Sequence, residues 1–139
     1  MDREKGMKNS LKLANRSKIA MLATNGEDGY PNIKALFKAK NEGLKKIWFS
    51  TNASSKRVKQ LKTDNKVSVY FVNKLLFEGL MLVGDIEIHN DLETKKRFWQ
   101  KGDKKYYPLG VEDPDYVILC FTAKWGNYYS LLKNTSFDI

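Results

Sequence analysis

Seven short runs of mainly apolar, β-branched and aromatic residues follow one another along this chain. Clusters of Asn, Asp and Gly separate the first three runs, which predicts a meander of antiparallel strands. No regular alternation of strands with helices supports a parallel sheet. Because closure removes exposed strand edges, the pattern predicts a mainly β fold in which a closed antiparallel barrel carries inserted helices. The runs cover residues 19–24, 33–40, 46–51, 67–72, 80–88, 116–121 and 125–132.

Helical spacing interrupts the strand pattern at three places. Met7, Leu11 and Ala14 predict a short amphipathic helix over one end of the core. A second helix is expected to begin after a run of Asn and Ser residues that can cap it, and to end near residues 64–65. A third helix follows residues 90–91, either of which can act as its cap.

Length and composition limit the class of protein. A chain of 139 residues that is 42% hydrophobic has room for one core, so residues 1–139 are expected to form a single domain. The formal net charge of +9 favours an anionic partner. Because the basic residues are spread along the chain, a small anionic ligand fits better than a nucleic acid or a membrane surface.

The single cysteine, Cys120, excludes an intramolecular disulfide framework and a zinc site built from several cysteines. Its apolar neighbours predict a buried, inert thiol. Residues 1–5 lack the apolar stretch of a signal peptide, and no later run approaches the roughly 20 apolar residues of a membrane span. We therefore expect a cytoplasmic protein.

Residues 50–57 hold the densest set of candidate ligand-binding groups, at the point where a strand pattern gives way to a helix. Free backbone N–H groups and the dipole at a helix start attract phosphate, and hydroxyl and cationic side chains add hydrogen bonds. Lys34 belongs to the strand expected to pair with residues 46–51, so it can approach the same anion. The alternative is that the Ser and Thr side chains only cap the helix while the cations face water.

The order and spacing of three segments resemble the pyridoxamine 5′-phosphate oxidase-like, FMN-binding split-barrel family, in its short general-stress-protein branch. The segments are Pro31-Asn32-Ile33-Lys34, then Ser50-Thr51-Asn52-Ala53-Ser54-Ser55-Lys56-Arg57, then Asn65-Lys66-Val67-Ser68-Val69. The likeness is good over residues 19–87 and looser elsewhere. It implies a six-stranded antiparallel split barrel of Greek-key type, and a homodimer with FMN at the subunit interface.

The resemblance also implies the residues that bind the cofactor. Lys34 takes the place of a family arginine on the flavin phosphate, and the backbone of residues 33, 35 and 36 would lie along the isoalloxazine ring. Trp125 is similar to a tryptophan near the flavin in the dimer cleft, with core packing as its alternative. The implied set is Asn32, Ile33, Lys34, Ala35, Leu36, Ser50, Thr51, Ser55, Lys56, Arg57 and Trp125.

Three departures from the family pattern concern the reaction. Lys34 lacks the bidentate fork of an arginine. Gly79 replaces the polar side chain that true pyridoxamine phosphate oxidases place near the flavin. Residues 130–137 lack the arginine and histidine with which those enzymes hold a pyridoxal phosphate group. Oxidation of vitamin B6 is therefore disfavoured, and no catalytic residue is assigned.

The favoured function is a flavin-dependent oxidoreductase of unknown substrate, with NAD(P)H or another small molecule as its redox partner. A flavin-binding or flavin-storing stress protein without turnover is the first alternative, and a nucleic-acid-binding small barrel is the last. Deazaflavin and haem stay alternatives to FMN, because relatives bind them. His89 is expected at the surface or at a helix cap, not on a metal. Tyr106 and Tyr107 either border a ligand cleft or fix their loop to the barrel.

Overall fold

The computed structural model describes residues 1–139 as one barrel with seven β-strands and three α-helices. The strand order is β3-β2-β1-β4-β5-β6-β7 and β3 also pairs with β6, so six strands close the barrel and β7 extends it. All neighbouring strands are antiparallel, which confirms the predicted fold class. The elements are α1 (Arg3–Arg16), β1 (Ile19–Asn25), β2 (Pro31–Glu42), β3 (Lys46–Asn52), α2 (Lys56–Thr63), β4 (Lys66–Asn73), β5 (Glu78–His89), α3 (Leu92–Phe98), β6 (Tyr116–Ser130) and β7 (Lys133–Asp138).

Strand alternation separates the inside of the barrel from its outer face. Leu22 in β1 and both Val69 and Phe71 in β4 are fully buried. The residues that alternate with them along each strand point outward. A second, smaller apolar cluster lies outside the barrel, where residues of β3 and β6 pack under α3 and the segment after it. That cluster contains Trp48, Phe98, Tyr107, Tyr116, Ile118 and Cys120, which confirms the predicted burial of the cysteine.

Each helix begins at a side chain that accepts a hydrogen bond from the backbone of its first turn: Asp2, Ser55 and Asp91. Helix α1 places Leu13 and Ala14 in the main core, as a helix covering that core should. Leu11 is exposed, however, so the apolar stripe predicted for this helix was wrong at that position. No helix is both long enough and apolar enough to span a lipid bilayer.

The last quarter of the chain differs from the prediction. The two strands predicted over residues 116–121 and 125–132 are a single strand, the 15-residue β6. Its pairing with β5 shifts register between Val83 and Gly84, and a Cβ at Gly84 would collide with the carbonyl oxygen of Thr122, so this bulge requires a glycine. The prediction also missed β7, which reads as a polar segment because only Phe137 of this edge strand is buried.

Candidate functional site

The barrel has a split between β2 and β3. These strands pair only from Lys38 onward, and the register is irregular between Lys38 and Lys40. On its other edge β3 pairs with β6 along its whole length, so beyond Phe49 it has β6 as its only neighbouring strand. Residues 31–37 of β2 therefore have a neighbouring strand on one side only, which is β1.

The free side of β2 presents backbone hydrogen-bonding groups to this split. The N–H of Lys38 donates to the carbonyl oxygen of Lys18, on the side of β1, over 2.8 Å. Because the backbone groups of an antiparallel strand alternate in direction, the N–H and C=O groups of Ile33, Ala35 and Phe37 point away from β1. They form an open strand edge that can hydrogen-bond the rim of a planar ligand.

The side chains of the same segment divide between the core and the surface. Leu36 is buried in the barrel core, whereas Ile33 is 72% exposed on the outer face. The Oδ1 of Asn32 accepts a hydrogen bond of 3.4 Å from Gln60 on α2. Lys34 lies two residues further along the same face of the strand and is exposed. Asn32 and Lys34 are thus the polar side chains that β2 adds to the split.

The first turn of α2 faces Asn32 across the split. Ser55 caps the helix, since its Oγ accepts a hydrogen bond of 3.2 Å from the N–H of Val58, and its hydroxyl hydrogen is still free to donate. The side chain of Lys56 is exposed, and the first turn contains no acidic residue. The helix start therefore combines free N–H groups with two adjacent cations, which suits an anion.

Arg57 is the cation of this turn that lies closest to the protein interior. It donates from Nη2 to the hydroxyl of the buried Thr51 over 3.3 Å, so it links α2 to the end of β3. Its Nε is buried and has no hydrogen-bond partner. Burial also lowers the pKa of Arg57 from its usual value. A buried donor without a partner is costly, and an anionic acceptor bound here would satisfy it.

A residue that sequence reasoning missed, Asp115, fixes the turn that leads into α2. Its carbonyl oxygen accepts from the N–H of Ala53 over 2.6 Å, and its Oδ1 accepts from the N–H of Ser54 over 2.8 Å. These residues are about 60 positions apart in the chain, and nothing in the local pattern links them. The loop before β6 is therefore part of the framework of the site.

A polar cleft of about 280 Å³ lies between α2 and the turn that joins β1 to β2. No apolar residue lines it, and Lys56 and Asn32 both contribute to its wall. Ser50, which is half-buried, and Thr51 stand at the nearby end of β3. The candidate residues of β2, β3 and α2 thus lie around one split. The cleft is lined by Gly26, Glu27, Asp28, Asn32, Lys56, Lys59 and Gln60.

Trp125 lies away from this split. It points to the outer face of β6, opposite Val83 in β5, and is 38% exposed. Residues paired on neighbouring strands form a row across the outer face. From Val83 this row runs through Ser68 in β4 and Ala23 in β1 to Ile33 in β2. At about 4.8 Å per strand, the row puts roughly 19 Å of sheet between Trp125 and Ile33, so Trp125 lies apart from the other candidate residues.

The two tyrosines after α3 differ in their surroundings. Tyr106 is 61% exposed, whereas Tyr107 is buried. The ring of Tyr107 packs on Tyr116, with 4.9 Å between the ring centroids. Tyr116 in turn lies opposite Asn52 at the end of β3, so Tyr107 belongs to the side of the split that carries residues 50–52.

His89 stands at the end of β5 between two carboxylates. Its Nε2 is 3.3 Å from Oε2 of Glu87, and its Nδ1 is 3.6 Å from Oδ1 of Asp91. Asp91 is occupied as the cap of α3. No group of three or more His, Cys, Asp or Glu side chains is arranged to hold a metal ion.

The sequence pattern of the family described as Pyridoxamine 5'-phosphate oxidase matches residues 8–130, which is most of the chain. The chain belongs to this family. No curated protein matches it. A solved structure from Clostridium acetobutylicum, described as related to general stress protein 26 of B. subtilis (pyridoxinephosphate oxidase family), is 55% identical. The alignment covers 100% of this chain and 97% of that one, with a TM-score of 0.91.

More distant structures share the fold of this pyridoxamine 5′-phosphate oxidase family member. General Stress Protein 26 from Bacillus anthracis is 19% identical, with a TM-score of 0.77 and 100% of both chains covered. A heme binding protein from Mycobacterium smegmatis is 15% identical, with a TM-score of 0.80 over 99% of this chain and 60% of that one. At these identities the likeness concerns the fold alone.

In this family member the side chain of Tyr70 occupies the space beside Gly79. Gly79 pairs with Val72 on β4, and the ring of Tyr70 from the same strand lies over it. A Cβ at Gly79 would collide with the hydroxyl of Tyr70. A side chain at position 79 would therefore require the partly exposed ring of Tyr70 to move.

Proposed function

We propose that this protein binds FMN in the split and acts as a flavin-dependent oxidoreductase on a small redox substrate. The observation that supports it most is the buried Nε of Arg57, which has no partner in the chain and lies at the helix start that the family uses for the flavin phosphate. Lys56 and the hydroxyl of Ser55 add donors at the same turn, and Lys34 lies two residues from Asn32, which hydrogen-bonds α2. Four donors and a helix dipole fit a terminal phosphate carrying about two negative charges.

The isoalloxazine ring would lie along the open edge of β2. The backbone groups of Ile33, Ala35 and Phe37 face the split without a strand partner, so they are available to the polar rim of the ring. Bound FMN supplies hydride or electron transfer, and the chain positions it beside a space for the substrate. The missing vitamin B6 contacts and Tyr70 over Gly79 favour a substrate other than pyridoxamine phosphate.

The outer face of the barrel supports a homodimer. Ile33 and Phe37 in β2, Ile19 in β1 and Val72 in β4 are exposed apolar side chains on this one face. A contiguous apolar surface of this kind on a small protein marks an interaction site. A self-complementary pair with two-fold symmetry is the commonest way to cover it.

The strand order indicates how such a dimer would complete the flavin site. In the order β2-β1-β4-β5-β6, strand β4 lies midway between β2 and β6. A two-fold axis near β4 and parallel to it would therefore place β2 of one subunit over β6 of the other. Trp125 would then approach the ring held along Ile33 in the opposite subunit, which no packing within one subunit allows.

Titration of purified apoprotein with FMN tests the phosphate site. Arg57→Ala combined with Lys56→Ala should weaken FMN binding by about 3 kcal/mol or more, the loss expected for two charge-assisted hydrogen bonds. Lys62→Ala, in the last turn of the same helix, is the matched control and should bind normally. Equal FMN affinity in the double variant and the control would overturn the assignment.

Two further measurements separate the alternatives. The visible absorption spectrum of freshly purified protein distinguishes bound flavin from deazaflavin and from haem. Stopped-flow reduction of the FMN-loaded protein by NADH or NADPH, followed by addition of an acceptor, then separates an oxidoreductase from a storage protein. Slow reduction without turnover would support the storage function instead.

A further inference from the structure

The loop between α3 and β6 reaches the phosphate side of the split. The hydrogen bonds of Asp115 to the backbone of Ala53 and Ser54 attach this loop to the turn before α2. Within the loop, Tyr107 is 9% exposed and packs on Tyr116. The loop is thus held against the residues that begin the helix, not free in solvent.

Tyr107 and Arg57 are joined to the same end of β3. Tyr107 packs on Tyr116, which pairs with Asn52, and Arg57 donates to the hydroxyl of the adjacent Thr51. The Nε of Arg57 is buried without a partner. No group of the chain hydrogen-bonds the hydroxyl of Tyr107, and this hydroxyl is not one of the buried unpartnered atoms, so it is open to a ligand. An acceptor that satisfies the Nε of Arg57 could therefore also accept from the hydroxyl of Tyr107.

Three carboxylates near Tyr107 oppose an anion, and backbone N–H groups bound to each of them offset part of that repulsion. Oδ2 of Asp103 accepts from the backbone of Gln100 over 2.8 Å. Asp113 accepts from two backbone N–H groups, at 3.0 and 3.2 Å. Asp115 accepts from Ser54 at the turn into α2. Their charge is partly spread over the backbone donors that they hold.

We propose that Tyr107 is a further phosphate-binding residue, whose hydroxyl donates to the FMN phosphate beside Arg57. This inference rests on the proposed function, because it requires the phosphate to occupy the start of α2. Residues from β2, α2 and the loop after α3 then enclose the anion from three sides.

The phenol is suited to donate over the whole physiological range. Burial, followed by the nearby Asp115, raises the pKa of Tyr107 to about 12. The hydroxyl therefore stays protonated and neutral at neutral pH, so it adds a hydrogen bond to a phosphate without adding a charge.

Comparison of FMN with riboflavin, which lacks the phosphate, tests the proposal. Tyr107→Phe removes one oxygen and keeps the ring that packs on Tyr116. FMN affinity of the Tyr107→Phe apoprotein should fall roughly tenfold, as for one hydrogen bond to a charged group, while riboflavin affinity stays unchanged. Tyr106→Phe is the matched control, because Tyr106 is the adjacent tyrosine and is exposed.

Each outcome decides a separate point. Unchanged FMN affinity in Tyr107→Phe, or an equal loss for FMN and riboflavin, overturns the role of Tyr107 and leaves the proposed function standing. Failure of the wild type to bind FMN overturns the proposed function itself. A second variant, Arg57→Ala with Tyr107→Phe, should lose less affinity than the sum of the single losses, because both residues act on one phosphate. If the two single losses of FMN affinity add up to the loss of the double variant, Arg57 and Tyr107 do not act on the same phosphate.

Discussion

The hydroxyl of Thr24 donates to Oε1 of Gln60 over 2.7 Å, and this buried hydrogen bond joins β1 to α2. Gln60 also donates through Nε2 to Asn32 on β2. One amide side chain therefore fixes the helix that carries Ser55 and Arg57 against the strand that carries Lys34. The geometry of the split depends on this contact.

Gln60→Leu should destabilise the fold by about 1–3 kcal/mol, because it leaves the buried hydroxyl of Thr24 without an acceptor. Thr24→Val in the same chain removes that unpaired group and should restore most of the lost stability. Urea unfolding of the wild type, both single variants and the double variant measures the coupling. Additive losses would show that the two side chains act independently.

The buried Tyr128 should make the folded protein less stable at alkaline pH. It is buried in the barrel and its hydroxyl donates to Glu78, which also pairs with Arg16. Burial, followed by this hydrogen bond, raises the pKa of Tyr128 to about 12 from an ordinary value of 10.0. The folded state then holds the proton that the unfolded chain releases, so the unfolding free energy should be constant below about pH 10 and fall between pH 10 and about 12.

Burial raises the pKa values of Tyr107 and Tyr116 as well, so they should add to the same alkaline loss. Tyr128→Phe removes one of the three groups. The unfolding free energy of this variant, measured by urea titration at a series of pH values, should fall less steeply above pH 10. A slope identical to that of the wild type would contradict the role given to Tyr128.

Met81→Glu should separate the proposed dimer. Met81 lies half-buried near the centre of the outer face, between Tyr70 on β4 and Asn127 on β6. A charge there would lose its water in a face-to-face dimer and would meet the same charge near the two-fold axis. Light scattering should give the mass of one chain, and circular dichroism should show an intact fold.

Leu109→Glu is the control for the dimer experiment. Leu109 is also apolar and is 73% exposed, but it lies in the loop after α3 and not on the outer face. This variant should keep the mass of the wild type. If both variants stay dimeric, or the wild type is monomeric with FMN bound, the outer face is not the interface.

The first five strands were predictable because local signals agree there. Turn residues such as Gly26 and Gly29 separate runs with clear alternation, so propensity and tertiary structure point the same way. Ser55 is likewise a local signal, since a capping residue directly precedes the apolar spacing of α2.

The missed features depend on contacts between distant parts of the chain. β7 is polar because an edge strand buries little, so its sequence resembles a loop. The continuity of β6 results from its pairing with β5 on both sides of the irregularity at Lys124, where the sequence pattern leaves a gap between two predicted strands. The position of Asp115 beside Ser54 depends on barrel closure, which no local pattern contains.

Trp125→Phe should alter the bound flavin without a large loss of stability. Trp125 is partly exposed on the outer face of β6 and is absent from both apolar clusters, so its removal opens no core cavity. In the proposed dimer its indole approaches the isoalloxazine ring of the other subunit and quenches the flavin fluorescence. The variant should therefore bind FMN with brighter emission and a shifted reduction potential, because the ring surroundings tune the cofactor. A core role predicts the reverse, with a stability loss of about 1–3 kcal/mol and an unchanged flavin spectrum.

The monomeric Met81→Glu variant sharpens the test, since its flavin emission should already be bright and should not respond to Trp125→Phe. A response that persists in the monomer would place Trp125 beside the flavin of its own subunit, against the roughly 19 Å that the strand register puts between them.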